Sequence, residues 1–134
     1  MKQRLMYSST LILFAAASAF AEQAIKAQIP FPFHMGGSIM PEGSYTVDST
    51  VARGVLRFRS ADGTSSAMTL SNEVQSVAIP TQPKLVFNRY KDQYFLSQVW
   101  AGGSNTGHEL LKSHLEKEVA AAAKRTTAIL QATK

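Results

Sequence analysis

The chain contains no cysteine. Disulfide bonds are therefore excluded, as is a lipoprotein anchored through an N-terminal cysteine, and whatever folds must be held together by its apolar core alone. Long apolar runs are missing too. The longest, Leu11–Phe20 (LILFAAASAF), falls short of the roughly 20 residues that a membrane-spanning helix needs. Lys2 and Arg4 precede it, and Ala19 and Ala21 supply small residues at the −3 and −1 positions of a cleavage site. The reading is a secretory signal peptide over residues 1–21, removed to leave a mature chain beginning at Glu22. No transmembrane span is expected after cleavage, and the protein is placed in the periplasm or outside the cell.

Charge of one sign is also modest. There are 14 Lys+Arg against 9 Asp+Glu, and two of those cations lie in the leader. An exported, mildly basic protein is not expected to meet nucleic acid; an anionic envelope polymer or another envelope protein suits it better.

Catalytic motifs fail on spacing. In AGGSNTGHE (101–109), Gly102 and Gly107 stand at the separation of the two glycines of a phosphate-binding loop. The places that should hold Lys and Ser or Thr, however, hold His108 and Glu109, and a carboxylate there would repel phosphate. The stretch reads instead as a flexible turn, with Thr106 or Asn105 offered as a helix cap. His108 and His114 are six apart rather than four, which on a helix puts them about 120° away from a shared zinc-binding face. His34 is isolated, and no G-x-S-x-G elbow occurs. No enzyme activity, cofactor or metal is expected.

What is present is a run of strand patterns. In AQIPFPFHMG (27–36), Ile29, Phe31 and Phe33 alternate toward one face. Pro30 and Pro32 remove donors along one lateral edge, so an edge strand is predicted. Pro41 and Gly43 mark a turn into a strand over 44–49. Asp62-Gly63 joins strands 54–60 and 66–71, with Leu56 and Phe58 on one face and Arg57 and Arg59 on the other. Residues 72–83 read as a long connection with a short strand at 77–79. A second hairpin pairs 84–90 with 93–100 around Lys91-Asp92. Its second strand is apolar on both faces, with Phe95 and Val99 on one and Tyr94, Leu96 and Trp100 on the other, and so calls for a cover. A helix over about 108–132 is predicted to supply it, because Leu111, Leu115, Val119, Ala122 and Ile129 recur at helical spacing and neither Gly nor Pro interrupts.

Two groups stand out as candidate sites. Arg57 and Arg59, with Arg53 and Arg89 as further members of a basic stripe, form either an anion-binding surface or a solvated strand face. Tyr94, Leu96 and Trp100 are candidates for contact with a ligand or with the helix, and Tyr45 and Tyr90 join the same aromatic set unless they are core.

The stretches IPFPFHMG, MPEGSYTV, LVFNRYKDQYFLSQVW and GHELLKSHLEKEVA resemble those of a family of small exported bacterial proteins of unknown function. The resemblance covers most of residues 22–134 and implies export and a single fold; it implies no catalytic residue. It also implies glycine where Lys91 stands, so the turn is expected to depart from left-handed geometry. The fold class expected is mainly β: an antiparallel β-sandwich or partly open barrel of about six strands with one C-terminal α-helix. The function expected is a non-enzymatic binding or structural module of the cell envelope, the alternative being a small lipocalin-like carrier of an apolar ligand.

Overall fold

A computed structural model describes residues 24–133. The signal peptide expected over residues 1–21 lies outside the described residues. The chain is mainly β: the described residues form ten strands in one sheet and a single helix near the C-terminus. In chain order the elements are β1 (Ile25–Ile29), β2 (Phe33–Met35), β3 (Ser38–Met40), β4 (Gly43–Asp48), β5 (Val55–Ser60), β6 (Ser66–Gln75), β7 (Lys84–Tyr90), β8 (Gln93–Trp100), β9 (Thr106–Leu110), α1 (His114–Ala122) and β10 (Arg125–Gln131).

Antiparallel neighbours run β10–β7–β8–β9–β6–β5–β4–β1, and the two ends meet at one bridge. There Lys26 N donates to Thr133 O at 2.6 Å and Thr133 N to Lys26 O at 2.9 Å. The result is a partly open barrel whose seam is closed at a single point. The β2–β3 hairpin leaves this ring: His34 pairs in parallel with Phe95 of β8, and Phe33 turns into the interior.

Phe33 is the centre of the core. Its ring lies 5.4 Å from Tyr45, 6.0 Å from Phe58 and 5.7 Å from Phe87 by centroid, so one side chain touches β4, β5 and β7. Ile29, Leu56, Phe58, Leu85 and Phe87 are fully buried around it. Each such side chain contributes on the order of 1.5–3 kcal/mol by burial, which suits a chain without disulfides.

The predicted edge strand over 27–36 divides at its prolines. β1 ends at Ile29, Pro30 and Pro32 carry the chain across, and Phe31 packs edge-on against Phe87 at 5.0 Å before β2 begins. Both hairpins form at the predicted turns, with Gly63 at φ 75°. Lys91 keeps the left-handed conformation at φ 54° even without glycine, contrary to the departure expected; Arg89 Nε donates to its carbonyl at 2.7 Å.

Three expectations are corrected. The short strand at 77–79 is absent, because β6 continues to Gln75 and Val77 and Ile79 lie exposed. The helix is confined to His114–Ala122, with strands β9 and β10 on either side. Thr106 and Asn105 are therefore not its cap: Thr106 opens β9, and Ser113 caps the helix by accepting from Glu116 N at 3.1 Å.

Candidate functional site

The outer face of β4–β5–β6 carries the predicted basic residues. Register places Asp48 opposite Arg57 and Arg57 opposite Met68. An Arg57 terminal nitrogen (Nη2) meets Asp48 Oδ2 at 3.0 Å. The hydroxyl and backbone N–H of Thr50 hold the Asp48 carboxyl below its ordinary pKa, and Arg57 adds to this. Two residues along the strands, on the same face, Lys26, Thr46, Arg59 and Ser66 form a row across β1, β4, β5 and β6. No acidic side chain stands in that row, and Arg59 is exposed. Lys26 was not visible as a member from sequence, since β1 joins β4 only in the folded sheet. Arg53 lies in the turn between β4 and β5. Arg89 is on β7, its guanidinium 5.3 Å from the Tyr94 ring, so it is not part of this surface.

Beside the cations the same face is apolar. Val55 pairs with Leu70, and beyond Leu70 lies Leu111, just past β9. Met68, Leu70 and Leu111 are 61%, 62% and 56% exposed, an unusual concentration of uncovered apolar surface on neighbouring strands. Together with Val55, Gly36 and Lys112 they line a shallow groove of about 510 Å³.

The aromatic candidates divide between two faces. A bulge shifts the β7–β8 register between Val86 and Phe87, so that Phe87 faces Leu96 while Val86 faces Gln98. Side-chain parity therefore reverses along β8. Tyr94 and Leu96 join the interior with Val99, and Tyr94 stacks on Phe31 at 3.7 Å. Phe95 and Trp100 take the opposite face. Strict alternation, which grouped Tyr94, Leu96 and Trp100, could not register the extra residue.

Trp100 is buried, but not by the helix stripe as expected: Leu111 and Leu115 are exposed. Its ring covers Gly107, the residue opposite it on β9, so closely that a Cβ there would stand 2.5 Å from the ring. Lys84 Nζ lies 5.7 Å from the ring centroid, and Gln98 Oε1 accepts the indole N–H at 3.0 Å.

The helix meets the sheet through a carboxylate. Glu116 is its one buried residue, and Oε2 accepts from Asn88 Nδ2 at 3.0 Å and from the Tyr90 hydroxyl at 3.1 Å. His34 stacks on Phe95 at 4.4 Å beside this group. Burial lowers the His34 pKa below 6.5, against the pull of the Glu116 charge. Burial raises the Tyr90 phenol above 10, and its bond to Glu116 adds to the rise. The sequence signal for Glu116 was Ser113 three residues earlier, the spacing of a capped helix start. Only its burial was not readable. Two neutral donors on one carboxylate oxygen form a clamp between helix and sheet. The other histidines lie apart: His108 Nδ1 is 3.5 Å from Ser71 Oγ, and His114 pairs with Glu118 within the helix at 3.1 Å.

No helix among the described residues is long and apolar enough to cross a membrane. Neither family models, curated proteins nor solved structures give a match to this chain.

Proposed function

We propose that this protein is an exported, non-enzymatic binding module of the cell envelope, and that its working surface is the outer face of β1–β4–β5–β6. The partner is an anionic component of the envelope with apolar groups of its own. One contrast carries the reading: the interior is occupied by packed rings centred on Phe33, while Met68, Leu70 and Leu111 are displayed outside, with Arg57 directly opposite Met68 and with Arg59 and Lys26 farther along the same face. Cations beside exposed apolar side chains suit a partner that offers both charge and hydrocarbon. A lipocalin-like carrier would instead need free volume where Phe33 sits, so the filled core counts against it.

The test is retention of the exported chain on anionic polysaccharide and on vesicles of anionic lipid. Changing Arg57 and Arg59 together to Gln is expected to weaken retention while the far-ultraviolet circular dichroism stays the same. Unchanged retention would return both residues to the role of a solvated strand face. Intact mass of the exported protein tests the leader, with Glu22 as the expected first residue.

A further inference from the structure

The barrel seam exposes a strand edge whose geometry can be followed residue by residue. β10 pairs with β7 along its whole length, and on that side Ala132 N donates to Pro83 O. Thr133, the next residue, directs its N–H to Lys26 on the other side. Backbone groups alternate sides along a strand, so those of Thr127, Ile129 and Gln131 point away from β7. Among the described residues no backbone pairing joins β1 to them beyond the Lys26–Thr133 bridge, although Gln28 and Gln131 line one cavity between the two strands. The reason lies in the sequence. Continued pairing would set Gln28 opposite Gln131 and Pro30 opposite Ile129, but Pro30 has no N–H to give, and the chain turns inward there to bury Phe33.

The edge left open is RTTAILQ, with two threonines and an isoleucine that is 54% exposed, and with neither proline nor glycine. A strand of this kind is a ready template for another strand. We propose that β10 pairs with β10 of a second copy, antiparallel, about a two-fold axis at Ala128. In that register Thr127 faces Ile129 of the partner copy, and Arg125 faces Gln131 of the partner copy. All of these are outward-directed positions, so both chains donate and accept at every one. The two copies of Arg125 then stand about 20 Å apart at the strand rise of ~3.4 Å per residue, beyond the reach of strong repulsion in salt. The pairing covers both copies of Ile129 and places no like charges opposite one another. Closed two-fold self-pairing of this sort ends at the dimer instead of growing a fibre.

The experiment is sedimentation equilibrium of the full exported chain, from micromolar to submillimolar concentration, beside two variants. Wild type is expected to dimerise with concentration. Ile129→Pro removes only an outward donor and should leave a folded monomer with the wild-type circular dichroism spectrum. Thr127→Lys combined with Ile129→Lys sets like charges across the ladder; it should also be monomeric at low salt and regain association at high salt, a recovery that a folding defect would not give. Because the chain has no cysteine of its own, mixing a Thr127→Cys chain with an Ile129→Cys chain should yield the mixed disulfide in excess over either homodimer. A chain monomeric at every concentration, a dimer indifferent to both variants, or the absence of the mixed disulfide would each overturn the proposal.

Discussion

Tyr90 donates its hydroxyl to Oε2 of Glu116 across 3.1 Å, and this contact ties helix α1 to the barrel. The same oxygen takes Asn88, so loss of the carboxylate leaves two buried donors without a partner. Glu116→Ala is expected to lower stability by about 1.5–3 kcal/mol, the usual worth of hydrogen bonds to a charged group. Chemical denaturation would measure it. Hydrogen exchange should show His114–Ala122 losing protection before the strands do, and uniform loss would mean that the helix is not held through this residue.

The same cluster sets the response to pH. Burial favours neutral His34, so its folded pKa lies below 6.5. Its contribution is complete above pH 6.5 and is lost as pH falls through the folded value. For Tyr90 the folded pKa lies above 10; the contribution is complete below pH 10 and is lost as pH rises through the folded value. The melting temperature is therefore expected to fall on both sides of a plateau between about pH 6.5 and 10. Glu116→Gln removes the charge that supports protonated His34, so the acid-side fall should steepen in that variant. An unchanged acid limb would show that His34 does not feel Glu116.

Most of the barrel was legible because most of it is local. Asp62-Gly63, the alternation around Leu56 and Phe58, and the two-residue loop at Lys91-Asp92 each specify a hairpin within a dozen residues, and each forms as read. The C-terminal third was not. Absence of Gly and Pro permits a helix without requiring one, and Thr126, Thr127 and Ile129 prefer an extended chain once β7 offers an edge. Of the basic surface, Arg57 and Arg59 were readable from one strand. Lys26, Met68, Leu70 and Leu111 join them only through pairings that no short-range pattern records. The bulge at Val86/Phe87 hid the division of Tyr94 and Leu96 from Trp100, since one extra residue changes every face that follows.

Lys91 is the one non-glycine residue with positive φ among the described residues. A side chain in that region costs on the order of 1–2 kcal/mol, partly returned here through the Arg89 bond to its carbonyl. Lys91→Gly should therefore stabilise the protein by about 1 kcal/mol, after the greater freedom of glycine in the unfolded chain is counted. Urea unfolding with an unchanged slope would show it. A loss of stability would mean that the lysine side chain makes a contribution larger than the backbone strain.

Gly107 is required by its neighbour, not by its own backbone. A Cβ at this position would come within 2.5 Å of the Trp100 ring, while the backbone lies outside the left-handed region where glycine is favoured. In Gly107→Ala the ring must therefore move or β9 must part from β8. The ring is the softer element, because β9 is paired on both sides, to β6 along its whole length and to β8, while the ring is fixed by the Gln98 bond and the Lys84 contact. Overpacking of this kind costs roughly 1–3 kcal/mol. As the chain's only tryptophan, Trp100 reports on itself. Its emission should shift to the red and become open to quenching, and the indole N–H should lose Gln98 as acceptor. If the emission stays blue while stability falls, the strand has yielded in place of the ring, and the β8–β9 pairing rather than the Trp100 platform is the weaker contact.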